Sequence, residues 1–157
     1  MSNATPQQIA QAQIDAANAK RDALKRALAD AQILQAAADM IAITDLEAEQ
    51  GFNRVIAIDL SSVWKPGVDA PTRIAFVVPE QSDGLAQRFI ETINKHREGS
   101  RERLLAQDAL AIECARYPEK GSDAYKAALR IAPLVLSNAA LQIVRAVEGV
   151  AQEQGKD

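Results

Sequence analysis

One histidine, one cysteine and a scatter of carboxylates are the residues of this chain that could do chemistry. His96 stands between Lys95 and Arg97, and Cys114 lies far from it in the sequence. Zinc takes three or four nitrogen, sulfur or carboxylate ligands, and these two residues give no CxxC or HExxH spacing, so neither a metal nor another cofactor is expected. His96 reads as a solvated residue at a helix C-terminus, where a cation complements the helix dipole. A catalytic Cys114 would need a base beside it, but its neighbours are Ile112, Glu113 and Ala115. A free thiol in such surroundings usually behaves as a small hydrophobe, so core packing is the expectation. Acid/base work by paired carboxylates fares no better. Asp108 and Glu113, five apart on one predicted helix, point about 140° away from each other, and Glu47 and Glu49 fall on opposite sides of theirs. The glycines at 67, 84, 99, 121 and 149 are isolated, with no GxGxxG, Walker-type or GxSxG pattern among them. These residues predict a protein that is not an enzyme.

Charge and composition narrow the partners. The basic residues cluster as Lys20, Arg21, Lys25 and Arg26 and as Lys95, His96, Arg97, Arg101 and Arg103, but acids interleave with both groups and the chain carries a net charge of −3. A nucleic-acid footprint normally shows as a basic domain with aromatics for stacking, so no nucleic acid is expected. One cysteine allows no disulfide framework, no apolar run approaches the roughly 18 residues that span a bilayer, and residues 1–30 hold no signal-peptide core. The expectation is a cytoplasmic protein with no membrane partner.

The elements that must position these residues are mostly helical. Of 157 residues, 31 are alanine and 4% are aromatic, which favours close helix packing over a large aromatic core. Thr5, Pro6 and Gln8 form a helix start: a hydroxyl cap, proline in the first turn and a capping-box partner. No glycine or further proline follows before Gly51, so residues 5–50 predict one long amphipathic helix for oligomerisation or partner binding. Leu24, Leu28, Ala31, Leu34, Ala38 and Ile41 step by threes and fours as a coiled-coil stripe. The part before Leu24 should project, and Ile33 to Ile43, apolar around most of the circumference, should be buried. Residues 51–149 predict a second unit. Ile56, Ile58 and Leu60, then Ile74, Phe76 and Val78, alternate with the period of strands, and Pro79 ends the second run. They predict one antiparallel hairpin as the only β structure, with Trp64 in its long loop as a lid or an interface anchor.

Helices should follow from a cap at Ser82 or Asp83 to Gly99, from Ser100 with Leu105, Ala109 and Ile112 inward, and from Ser122 to Ile131, where Pro133 either kinks that helix or begins a new one that ends at Gly149. Residues 150–157 should form a polar tail. The fold class is therefore α+β, mainly α: a long N-terminal helix, one antiparallel hairpin and a C-terminal helical bundle.

The order of elements from Phe52 to Gly149 resembles the small tail assembly chaperones of long-tailed bacteriophages. The likeness rests on the strand Arg73-Ile74-Ala75-Phe76-Val77-Val78-Pro79, the Cys114-x-x-Tyr117-Pro118 element, and a last helix with Leu141, Val144 and Val147. It implies a non-enzymatic phage or prophage protein that coats the tape-measure protein, or another virion protein, during tail assembly and self-associates. The alternative is a small regulatory module, such as a phage-encoded inhibitor of a host enzyme, that inserts Trp64 into a partner's pocket. Leu24, Leu28, Ala31, Leu34 and Trp64 are the candidate protein-binding residues, because a projecting apolar stripe needs a partner to cover it.

Overall fold

A computed structural model of the protein describes residues 3–80 and 84–154, with the side chains described as far as Gly149. Helices account for 67% of it, so the chain is α+β and mainly α. The first helix, α1 (Pro6–Gln50), begins with the capping box the sequence predicts. The Thr5 hydroxyl accepts from the Gln8 amide at 3.2 Å, and the Gln8 side chain accepts from the Thr5 amide at 2.9 Å. Gly51, at φ 97°, ends the helix in a conformation that glycine adopts without a Cβ clash.

After a short 3₁₀ turn come β1 (Val55–Asp59) and β2 (Arg73–Val77), paired antiparallel with Ala57 opposite Ala75. The sequence predicts the hairpin as the only β structure, and the structure corrects this. Residues Ala115–Tyr117 form a third strand, β3, antiparallel to β2, and the sheet order is β1-β2-β3. Four of the five residues of β2, all but Arg73, are buried, because both of its edges are paired and both of its faces are covered.

Helices α2 (Leu85–Asn94), α3 (Arg101–Cys114), α4 (Asp123–Ile131) and α5 (Val135–Gln154) complete the chain. The hydroxyls of Ser100 and Ser122 cap α3 and α4 as predicted. The cap expected at Ser82 or Asp83 lies outside the described residues. Helix α2 stops at Asn94, short of Gly99, and α5 runs through Gly149 to Gln154, so only residues 155–157 of the predicted polar tail fall after it, outside the described residues. Glycine inside a helix is a local cost of about 1 kcal/mol, too little to end one that is anchored along its earlier turns. Between α4 and α5, around Pro133, the chain turns by 94°.

The core lies on one face of the sheet. Ile74 and Phe76 of β2, with Ile56 and Ile58 partly buried beside them, pack with Leu110, Cys114, Ala139, Ala140 and Ile143 of α3 and α5. The inward face of α3 carries Gln107, Leu110, Ala111 and Cys114. This corrects the predicted stripe: Leu105 and Ile112 are exposed, because the helix is set by the row that meets α5 and β2. Ala75 and Tyr117 sit opposite each other on the other face of the sheet, and there α1 crosses it.

Candidate functional site

What fixes α1 to the sheet is polar. Asp39 is fully buried, and its Oδ2 accepts from both the amide and the hydroxyl of Thr72, each at 2.6 Å. Its Oδ1 accepts from the Tyr117 hydroxyl and, at 3.0 Å, from Gln35 Nε2. Four donors converge on its two oxygens and use the acceptor sites of the carboxyl group. Burial first, and then the bond to Asp39, hold the Tyr117 phenol well above its ordinary pKa, so it remains a donor. Gln32 adds a bond to the Ser61 carbonyl at 3.0 Å, and Ile43 is the buried apolar contact of the same face.

This face decides where the nominated residues lie. The docked row runs through Gln32, Gln35, Asp39 and Ile43, a helical period of about 3.6, whereas the stripe from Leu24 to Ile41 advances by about 3.4 residues per step and drifts about 20° at each step around a straight helix. Leu24 and Leu28 begin on the docked side but precede the body of the protein, and Leu34, Ala38 and Ile41 have rotated off it. Every residue from 3 to 30 is exposed, Leu24 by 62%. The expectation that Ile33 to Ile43 is buried is corrected: Asp39 and Ile43 are, while Ile33, Leu34, Met40 and Ile41 are 57–74% exposed. A core on only one side of the helix can cover only one of its faces.

Ala31, Leu34 and Trp64 come together, and Leu24 and Leu28 stay apart from them on the projecting stretch. The three line an open groove of about 360 Å³ between α1 and the β1–β2 loop, completed by Gln35, Pro66, Gly67, Asp69 and Ala70. Trp64 is half-buried, and its indole Nε1 donates to the Ala70 carbonyl at 2.6 Å, which folds the loop onto itself as a wall of the groove.

The remaining candidates lie elsewhere. His96 is half-buried just past α2, its carbonyl accepting from Arg103 at 3.2 Å. Cys114 is buried at the end of α3, and burial pushes its thiol up to about 11, so at neutral pH it is protonated. Asp108 accepts from the Ser137 hydroxyl at 3.1 Å, a tie between α3 and α5. Among the described residues no group of three histidine, cysteine or acidic side chains could hold a metal ion, and no single helix is long and apolar enough to cross a membrane.

Sequence reasoning missed Asp39. The available signal was an acid inside the apolar run from Ile33 to Ile43, a position that requires either exposure or a set of donors. Comparison with known proteins adds no relative: no family model, no curated protein and no solved structure matches this chain.

Proposed function

We propose that this chain is a non-enzymatic assembly protein, a chaperone or scaffold acting on a virion protein such as the tape measure in the cytoplasm of a phage-infected or prophage-carrying cell. The observation that carries the reading is the surface of α1. A 45-residue helix is held to its own body along about half its length, and the rest is exposed with Ile9, Ile14 and Leu24 about half or more in solvent. Large exposed apolar rows mark interaction surfaces, and an isolated helix gains most of its stability from what packs on it. The likeness to tail assembly chaperones supplies the class of partner. Self-association belongs to the outer face of the docked half, where Ile33, Leu34, Met40 and Ile41 are exposed.

The alternative of an inhibitor that inserts Trp64 into a host enzyme is less well supported, because the indole is already bonded to its own loop. The test is co-expression with the tape-measure protein encoded nearest to this gene. A larger fraction of tape-measure protein in the soluble fraction, lost with Leu24→Asp plus Leu28→Asp, is the expected result. Equal solubility with and without this chain would overturn the assignment, and a gene placed in an early or accessory locus would favour the inhibitor.

A further inference from the structure

The projecting half of α1 carries its charges in a pattern that the linear sequence hides. Projected at about 100° per residue, Ala10, Ile14, Ala17, Leu24 and Leu28 share one face. Arg21 lies in the middle of that face, and Lys20 and Lys25 lie on its two rims, all within about 80° of Leu28. Asp15, Asp22 and Asp30 fall about 120–160° away, on the back of the helix, with Arg26 among them. The apolar row is therefore bordered by two cations, interrupted by a third, and has no acid beside it.

We infer that this face takes an acidic amphipathic helix from another protein, and not a second copy of this chain. The shape of the occupant follows from the period. Apolar residues on a seven-residue repeat fit a partner helix that supercoils around α1, whereas the part of α1 docked on its own sheet follows the 3.6-residue period. Its charge follows from the rim, since opposite charges at flanking positions set partner choice and like charges exclude wrong partners.

A second copy would meet those cations with its own. In a parallel pair in register, Arg21 faces Arg21 of the copy and Lys20 lies beside Lys25. In an antiparallel pair, the body of the protein stops the overlap where Ala31 and Gln32 become partly buried. The overlap of residues 6–31 is then centred near Ala19, which gathers Lys20 and Arg21 of both chains around the two-fold axis. A membrane surface fits less well. The apolar face is narrow, with two alanines among its five residues and no aromatic, and the three aspartates on the back oppose anionic lipid.

The inference rests on the protein-binding reading and is tested apart from it. The full-length protein is titrated calorimetrically with two synthetic four-heptad peptides carrying leucine at the a and d positions, one with glutamate and one with lysine at e and g. The glutamate peptide should bind at least about tenfold more tightly, a preference that shrinks near 1 M salt, where the Debye length falls to about 3 Å. The triple change Lys20→Glu, Arg21→Glu and Lys25→Glu should reverse the preference. All three residues are exposed, so circular dichroism and Tm should be unchanged. Leu24→Asp should weaken both peptides. Equal binding of the two peptides, binding of neither, or a preference untouched by the triple change would overturn the inference. So would binding to phosphatidylserine vesicles in place of either peptide. Rescue of tape-measure solubility without any peptide preference would remove this inference and leave the proposed function standing.

Discussion

Asp39 carries the attachment of α1 to the sheet, and its neighbours show what its removal costs. Asp39→Ala leaves the Thr72 amide, the Thr72 hydroxyl and the Tyr117 hydroxyl without their acceptor, at about 3 kcal/mol of stability. Tyr117→Phe loses one hydrogen bond, about 0.5–1.5 kcal/mol, and urea denaturation should find Asp39→Ala the less stable of the two. Alkali should act on the same region. Tyr117, Tyr125 and Cys114 all have their pKa raised in the folded state, chiefly by burial. The unfolded chain therefore releases these protons first. Their contribution is complete below the unfolded values, about 8.5 for the thiol and 10 for the phenols, and is lost as pH rises toward the folded ones. Tm measured between pH 8 and 11 should fall progressively, and less steeply in Tyr117→Phe. The position of Asp39 within an apolar run was legible in the sequence, but its donors were not, because they come from β3 and from the segment before β2, and only the folded chain brings those residues within reach of one another.

At the scale of the element, α1 is two helices in one. Ile43→Ala, in the docked half, should cost about 2–5 kcal/mol, as large-to-small changes at buried positions do. Leu24→Asp with Leu28→Asp, in the projecting half, should cost under about 1 kcal/mol and keep Tm within about 3 °C, since surface changes away from packed contacts do little. Guanidinium unfolding of both variants makes the comparison within one helix. The start of α1 was legible in Thr5, Pro6 and Gln8, and the hairpin in the alternation of Ile56, Ile58, Ile74 and Phe76, because caps and strand periods are local. Strand β3 was not, since three residues following directly on a helix are too few to show a period of two. The buried row of α1 was misread for a related reason: a stripe stepping by about 3.4 residues and a 3.6-residue face coincide over one or two turns and separate over five.

At the scale of the whole molecule, the proposed roles of the charged face and of the uncharged apolar patch on α1 predict two separate contacts. Light scattering should find a dimer or larger assembly at tens of micromolar, and Ile33→Asp with Ile41→Asp should reduce it to a monomer that keeps its helical circular dichroism. A variant that still assembles would place self-association elsewhere, for instance at the open edge of β1. The continuity of α1 adds a mechanical consequence. No glycine or proline interrupts it between Pro6 and Gln50, so the projecting stretch and the docked stretch form one rod. The arm beyond the body, residues 6–30, is roughly 37 Å long and the docked stretch roughly 30 Å. A load at the free tip is therefore a torque about the point where the rod meets the sheet, and the first bonds to feel it are those of Gln32 to the hairpin loop and of Asp39 to Thr72 and Tyr117. Under the proposed binding role, cargo held on the arm would be tethered by a lever whose fulcrum is the buried Asp39 side chain.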